Sequence, residues 1–273
     1  MCSSATLYSG TVETRTQAQT AQSQTQSQTR TQSQTQSQTQ NRRARLRAQT
    51  AQEIKTIALD LMAAGGPDAI SLRAIAREMG MTANAIYGYY ATRDELVTTL
   101  IADLYTAFVE SAEAARDQLP PQDAAGRLLA WATAFRQWAL ANPAGFRLVY
   151  GDPVPGYQAP PEGAAAEAER RACTGLTGLV AGAWPDAEPL QSHGTYQWSD
   201  FDPGLVATVH ERFPDLPPDA VALALRVWGR LHGLVSLEVY GHLHTQTANP
   251  GKVYRTEIHD LIRSLGLTPP DGS

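Results

Sequence analysis

The stretch SLRAIAREMGMTANAIYGYYATRDEL, residues 71–96, constrains the fold of this chain more than any other. Its apolar residues recur at helical spacing in two short segments, and Gly80 between them suits a left-handed turn. Three residues stand where a helix N-cap is needed: Ser71, Thr82 and Thr92. The pattern predicts two short helices, the second over about Ala83–Tyr90, followed by a longer one that begins after the third cap.

The rest of the chain also has helical periodicity. Ahead of residue 71, Ile54, Ile57, Ala58 and Leu61 form one apolar stripe that ends before Gly65-Gly66. Beyond it, helices are expected at about residues 91–119, 123–142, 144–150, 164–183, 217–243 and 253–264. The only strand-like segment, GLVSLEVYG, lies inside a helical pattern, so the sequence predicts an all-α fold. Two short helices joined by a Gly-containing turn, with a helix on either side, are typical of a helix-turn-helix.

The N-terminal segment differs from the rest in composition and charge. From about Thr14 to Gln40 it consists almost entirely of Thr, Gln, Ser and Ala, a composition that predicts a disordered leader. The whole chain has a net charge of −5, yet residues 1–50 carry six Arg against one Glu. Most of that positive charge lies in NRRARLR, residues 41–47. Such an arm favours a polyanion partner at one end of the molecule, and the alternative is a solvated linker.

Several function classes lose support from the sequence. Two cysteines are too few for a disulfide framework or a cysteine-based zinc site, which fits a reducing, cytoplasmic setting. His242 and His244 point apart on a helix, so with His232 they do not predict a metal site, and no cofactor is expected. No stretch reaches the roughly 18 uninterrupted apolar residues of a membrane span. No catalytic motif is found, and a helical enzyme or a structural adaptor remain the alternatives.

The residues around the second short helix suit contact with a DNA duplex. Ile86 and Tyr90 share its apolar stripe and are expected in the core, whereas Tyr87 and Tyr89 fall on other faces. Their hydroxyl groups can donate to phosphate oxygens, and core packing is the alternative. Asn84 can pair with adenine through two hydrogen bonds, and small neighbours let the helix approach the bases.

Residues 56–101 resemble the DNA-binding domain of TetR/AcrR-type transcriptional regulators, through SLRAIA, the GMT turn and IYGYYATRDEL. The resemblance implies a recognition helix in the major groove and phosphate contacts from Tyr87 and Arg93. Tyr89 and Tyr90 replace a more usual histidine and phenylalanine, and Gly88 replaces a larger residue. The candidate DNA-contacting residues are Arg42, Arg43, Arg45, Arg47, Ser71, Arg73, Thr82, Ala83, Asn84, Tyr87, Tyr89 and Arg93.

The C-terminal half resembles the Trp/His/Gly-containing effector domain of one TetR branch, with Trp228, His232 and Gly233 as the matching residues. The resemblance implies a small-molecule effector, apolar or aromatic, and a homodimer formed through residues 218–243 and 252–265. The candidate ligand-binding residues are Trp131, Phe135, Trp138, Phe146, Tyr150, Trp228 and His232, with plain core as the alternative.

Together these features predict three regions and one function. Residues 1–45 are expected to form the leader with its basic arm, residues 46–105 the helix-turn-helix domain, and residues 106–268 the effector and dimerisation domain. The predicted function is that of an effector-released repressor on a palindromic double-stranded operator, and a transcriptional activator is the alternative.

Overall fold

The computed structural model describes residues 40–191 and 195–270, and in these ranges it is helical with no strand. This confirms the predicted all-α class. The ten α-helices of the described residues are α1 (residues 40–65), α2 (Leu72–Glu78), α3 (Ala83–Tyr87), α4 (Arg93–Asp117), α5 (Ala124–Ala141), α6 (Pro143–Tyr150), α7 (Ala164–Ala187), α8 (Pro203–Arg212), α9 (Pro218–Val239) and α10 (Pro250–Ser264). Short 3₁₀ turns cover Pro67–Ala69, Glu188–Leu190 and Trp198–Asp200.

Compactness divides the chain into two units, residues 1–56 and 57–273. The described part of the first unit is helical from residue 40, six residues before the expected start of order at Leu46. Residues 40–64 contain neither Gly nor Pro, and Ala, Arg and Gln are good helix formers, so nothing in the local sequence ends the helix earlier. Most of the predicted leader lies outside the described residues.

The predicted caps start the three helices of the helix-turn-helix region as expected. The side-chain oxygens of Ser71, Thr82 and Thr92 each accept from a backbone N–H three residues on, at 3.4, 3.3 and 3.0 Å. Gly80 has φ +63°, the left-handed conformation that the turn requires. Helix α4 then continues without a break to Asp117, so a single helix connects the short helices to the C-terminal half.

The core of the second unit is aromatic and is fixed by one buried ion pair. Phe108 of α4, Phe135 of α5 and Phe146 of α6 are almost fully excluded from solvent. Arg136 of α5 donates to both carboxylate oxygens of Glu238 on α9, at 2.7 and 2.6 Å, and only 8% of Glu238 is exposed. A buried carboxylate without its partner is strongly destabilising, so this pair holds α5 and α9 in one arrangement.

A small second core lies around α8, a helix that the periodicity did not reveal. Val209, Leu216 and Val221 form its buried centre. Four aromatic side chains cover it in part: Trp184, Trp198, Phe201 and Phe213.

The α9 helix is long and apolar enough to cross a membrane by length and composition, the one such helix in the described part of the chain. Ala220, Val221, Leu223 and Val227 of this helix belong to the buried core. Core helices of soluble proteins pass the same test, and 44% of the apolar window of α9 is buried inside the protein.

Candidate nucleic-acid interface and ligand cavity

The short helix α3 separates a buried side from an exposed one. Ile86 is fully buried and Tyr90 is 7% exposed, as predicted for both. Asn84 is exposed, and Tyr87 is 43% exposed, a high value for a large aromatic side chain. The outer face therefore presents one amide and one phenol to solvent, the groups expected to read a base and to hold a phosphate.

The other candidate residues near α3 divide by burial. Thr82 is exposed and caps α3, while Ala83 and Tyr89 are half-buried at the edges of the exposed face. On α2, Ser71 is a half-buried cap and Arg73 is exposed. Thr82 and Ser71 thus stabilise the helices whatever else they contact.

The side chain of Arg93 is held by three backbone carbonyls. Its Nε donates to Ile70 O at 2.8 Å and its Nη2 to Pro67 O at 2.9 Å, both in the segment between α1 and α2. Its Nη1 donates to Pro155 O at 2.9 Å, in the loop that follows α6. The planar guanidinium offers five N–H donors in a fixed fork, which suits such a constellation. The side chain of Arg93 thus connects the start of α4 to two other segments of the protein. Its contact with phosphate stays a prediction.

The arginine-rich arm is helical. Residues 41–47 lie in α1, and their side chains are exposed. Arg43 and Arg47 are four residues apart and share a face of this helix, as Arg42 and Arg45 do at a spacing of three. The arm is therefore a helical segment with positive charge on two faces, where the sequence predicted a leader without regular structure.

A cavity of about 420 Å³ lies among helices α4 to α9, with Leu205 as the contribution of α8. Its size is within the roughly 300–1,000 Å³ of small-molecule sites. Five aromatic side chains line it: Tyr105, Phe108, Trp131, Tyr150 and Trp228. On its α7 wall, Glu169 and Cys173 stand one turn apart. Burial raises the pKa of the Cys173 thiol, and the negative charge of Glu169 raises it further.

The predicted ligand-binding residues fall into two groups. Trp131, Tyr150 and Trp228 line the cavity, and their contact with a ligand stays a prediction. The other four do not line it and form an aromatic layer behind it: Phe135, Trp138, Phe146 and His232. Because these rings meet one another at 5–6.5 Å, they serve as core, which was the alternative interpretation. Burial lowers the pKa of His232, so this side chain is neutral at pH 7.

Comparison with known proteins decides the family. Residues 56–100 match the family described as bacterial regulatory proteins of the tetR family, and residues 128–261 match the tetracyclin repressor-like C-terminal domain. The HTH-type transcriptional regulator Mb1846 of Mycobacterium bovis is 34% identical over 208 residues, which are 73% of this chain and 85% of that protein. The chain belongs to the TetR family.

Solved structures share the fold of this chain. The crystal structure of the regulatory protein SCO4313 has a TM-score of 0.63 at 33% identity, covering 81% of this chain and 98% of that one. A tetR-family regulatory protein from Rhodococcus RHA1 shares the fold, with a TM-score of 0.53 at 20% identity, over 80% of this chain and 97% of that one. The protein is a DNA-binding transcriptional regulator.

Sequence reasoning missed several residues of the cavity in this TetR protein. Tyr105 and Phe108 are three residues apart on α4, and Glu169, Cys173 and Leu176 follow an i, i+4, i+7 spacing on α7. The α4 pair matches an ordinary core pattern, and the α7 stripe begins with a carboxylate that is typical of a surface. Only the approach of α4 to α7 brings the two stripes together.

Proposed function

We propose that the protein is a homodimeric repressor that leaves a palindromic operator when a small molecule fills the cavity. The observation that carries this proposal is the double role of α4. Tyr105 of this helix lines the cavity, while Arg93, at its first turn, bonds to the carbonyls of Pro67 and Ile70 beside α2. A ligand that shifts α4 therefore acts on the helices that carry the DNA-binding face.

The loop after α6 gives a second connection between cavity and DNA-binding face. Tyr150 lines the cavity as the last residue of α6, and five residues later Pro155 O accepts from Arg93. The hydroxyls of Tyr157 and Thr98 then meet at 3.0 Å, which ties the same loop to α4. Two short routes thus link the aromatic wall of the cavity to the helix-turn-helix.

On the operator, α3 takes the role of the recognition helix. Asn84 reads a base in the major groove, and Tyr87 positions the helix on a phosphate. Arg73 of α2 and the arm of residues 41–47 add charge along the backbone. Since the segment 51–105 has four basic against seven acidic residues, the arm supplies much of the attraction to DNA.

The dimer forms through α9 and α10. Leu225, Gly229, Gly233 and Leu237 follow one another at intervals of four residues on α9, and the two leucines are 51% and 41% exposed. A Cβ atom added at either glycine would meet nothing within 4 Å. An apolar helix face with open small residues at its centre suits close approach of a second helix, supporting an isologous dimer.

The test combines solution mass with DNA binding. Light scattering at micromolar concentration is expected to give twice the 29.5 kDa mass of one chain. Recovery of bound genomic fragments is expected to yield a palindrome whose half-sites lie about one helical turn, ~34 Å, apart or somewhat more. A monomer that shifts no recovered fragment would refute the proposal, and loss of transcription on deleting the gene would indicate an activator instead.

A further inference from the structure

The cavity has an uneven distribution of charge. Among the described residues that line it, Glu169 is the only carboxylate, and no Lys, Arg or His side chain is present. Desolvation raises the pKa values of Tyr105 and Tyr150, so both phenols stay neutral at pH 7. The negative charge of Glu169 raises both pKa values as well, by less than burial does.

The basic side chains nearest to Glu169 in the sequence are engaged elsewhere. Arg170 donates to Glu167 at 2.6 Å on the outer side of α7. Arg171 forms a two-pronged ion pair with Glu113 of α4. Neither guanidinium lines the cavity. Glu169 lines it and is an exposed residue, so its carboxylate lies where the cavity meets solvent.

Aromatic rings from four helices surround the same space. Tyr105 and Tyr150 meet edge to face with their centroids 5.8 Å apart, and Tyr150 lies 5.5 Å from Trp228. Trp131 closes the wall on α5, beside Phe108 at 5.3 Å. The faces of such rings carry negative potential and attract a cation within about 6 Å of a centroid, most strongly for Trp and Tyr.

We propose that the effector is a hydrophobic cation: a protonated amine with an aromatic body, or a quaternary onium ion. Its charge would lie between the rings of the cavity and the carboxylate of Glu169. This inference rests on the proposed effector function and names the ligand class for that site. The rings bury the apolar body of the ligand, and Glu169 at the α7 wall compensates the charge. An anion of equal size finds the same apolar wall with no cationic partner.

Three probes of similar bulk that differ in charge test the inference on the full chain: tetraphenylphosphonium, triphenylphosphine oxide and tetraphenylborate. Their dissociation constants are measured by isothermal titration and by quenching of tryptophan fluorescence. We expect tetraphenylphosphonium to bind at least about tenfold more tightly than tetraphenylborate. Equal or tighter binding of the borate, or no binding of the phosphonium at millimolar concentration, would overturn the inference.

Two matched variants locate the source of the preference. Glu169→Gln is expected to weaken the phosphonium about fivefold or more and to leave triphenylphosphine oxide unchanged, since only the charge is removed. Asp186→Asn removes an exposed carboxylate from the same helix, outside the cavity lining and away from Arg170, and is expected to change neither constant. An affinity for the phosphonium that is unchanged in Glu169→Gln would also overturn the inference.

A gel shift with recovered operator separates this inference from the proposed function. If the neutral probe releases DNA as well as the cation does, the effector function stands and the cation preference is refuted. If no probe releases DNA although the phosphonium binds with the expected preference, the ligand class stands and the proposed release mechanism is refuted.

Discussion

Replacing Arg93 with alanine tests whether this residue holds the DNA-binding helices to the rest of the protein. The substitution removes three charge-assisted hydrogen bonds of 2.8–2.9 Å, to the carbonyls of Ile70, Pro67 and Pro155. Bonds of this kind contribute about 1.5–3 kcal/mol each when enclosed. Arg93 is half-buried and the bond to Pro155 is exposed, so we expect a loss of about 3 kcal/mol in the free energy of unfolding.

Arg93→Lys is the informative second variant. An ammonium group is a compact charge that cannot reach three separated carbonyls at once, so about 1 kcal/mol is expected to return. Urea unfolding followed by circular dichroism measures both values, provided that the slope against denaturant stays the same. Arg73→Ala, at an exposed position on α2, is the control and is expected to change stability by less than about 0.5 kcal/mol.

Operator binding by the same variants distinguishes the two roles of Arg93. Arg73→Ala is expected to reduce the slope of log K against log salt by about one, because one phosphate contact is lost. If Arg93→Ala does the same and leaves the unfolding midpoint unchanged, Arg93 is a phosphate ligand and its carbonyl bonds contribute nothing measurable.

Three further predictions concern the DNA interface and the core. Tyr87→Phe is expected to weaken binding to every sequence alike, whereas Asn84→Ala changes the rank order of operator variants in a competition assay; an unchanged order excludes Asn84 as a reader. Deleting residues 1–47 is expected to flatten the salt dependence by about two to four units, and identical slopes would exclude the arm. Arg136→Ala is expected to lower the free energy of unfolding by about 3–5 kcal/mol in urea titrations, because the buried Glu238 carboxylate loses its partner; a loss below about 1 kcal/mol, the range of exposed pairs, contradicts this.

The helix-turn-helix was predictable because its signals are local. The caps at Ser71, Thr82 and Thr92 and the turn at Gly80 each depend on a few neighbouring residues, and the structure has all four where the sequence places them. Helix α8 carries a local signal as well: Asp202 caps it by accepting from the N–H groups of residues 204 and 205, and Pro203 is its first residue. That helix was missed because the surrounding Pro- and Gly-rich composition suggested a loop.

The cavity could be predicted only in part, because it is a product of long-range contacts. Trp131, Phe135 and Trp138 share one helix and similar chemistry, and nothing in their spacing shows that only the first faces open space. The position of Glu169 at the cavity depends on the approach of α7 to α4, which the ion pair of Arg171 with Glu113 helps to fix. Spacing along one helix cannot supply that information.

The position of Arg93 follows from local sequence, whereas one of its hydrogen bonds joins it to a distant part of the chain. Its position after Thr92, at the start of α4, follows from local sequence, and there the family resemblance implies a phosphate contact. The acceptor at Pro155 lies 62 residues away and belongs to the loop that leaves the cavity at Tyr150. Three N–H groups of the guanidinium point to carbonyls, and two remain for a phosphate. If DNA takes those two, the same side chain contacts the operator and the loop after α6 at once, so displacement of either partner acts directly on the other.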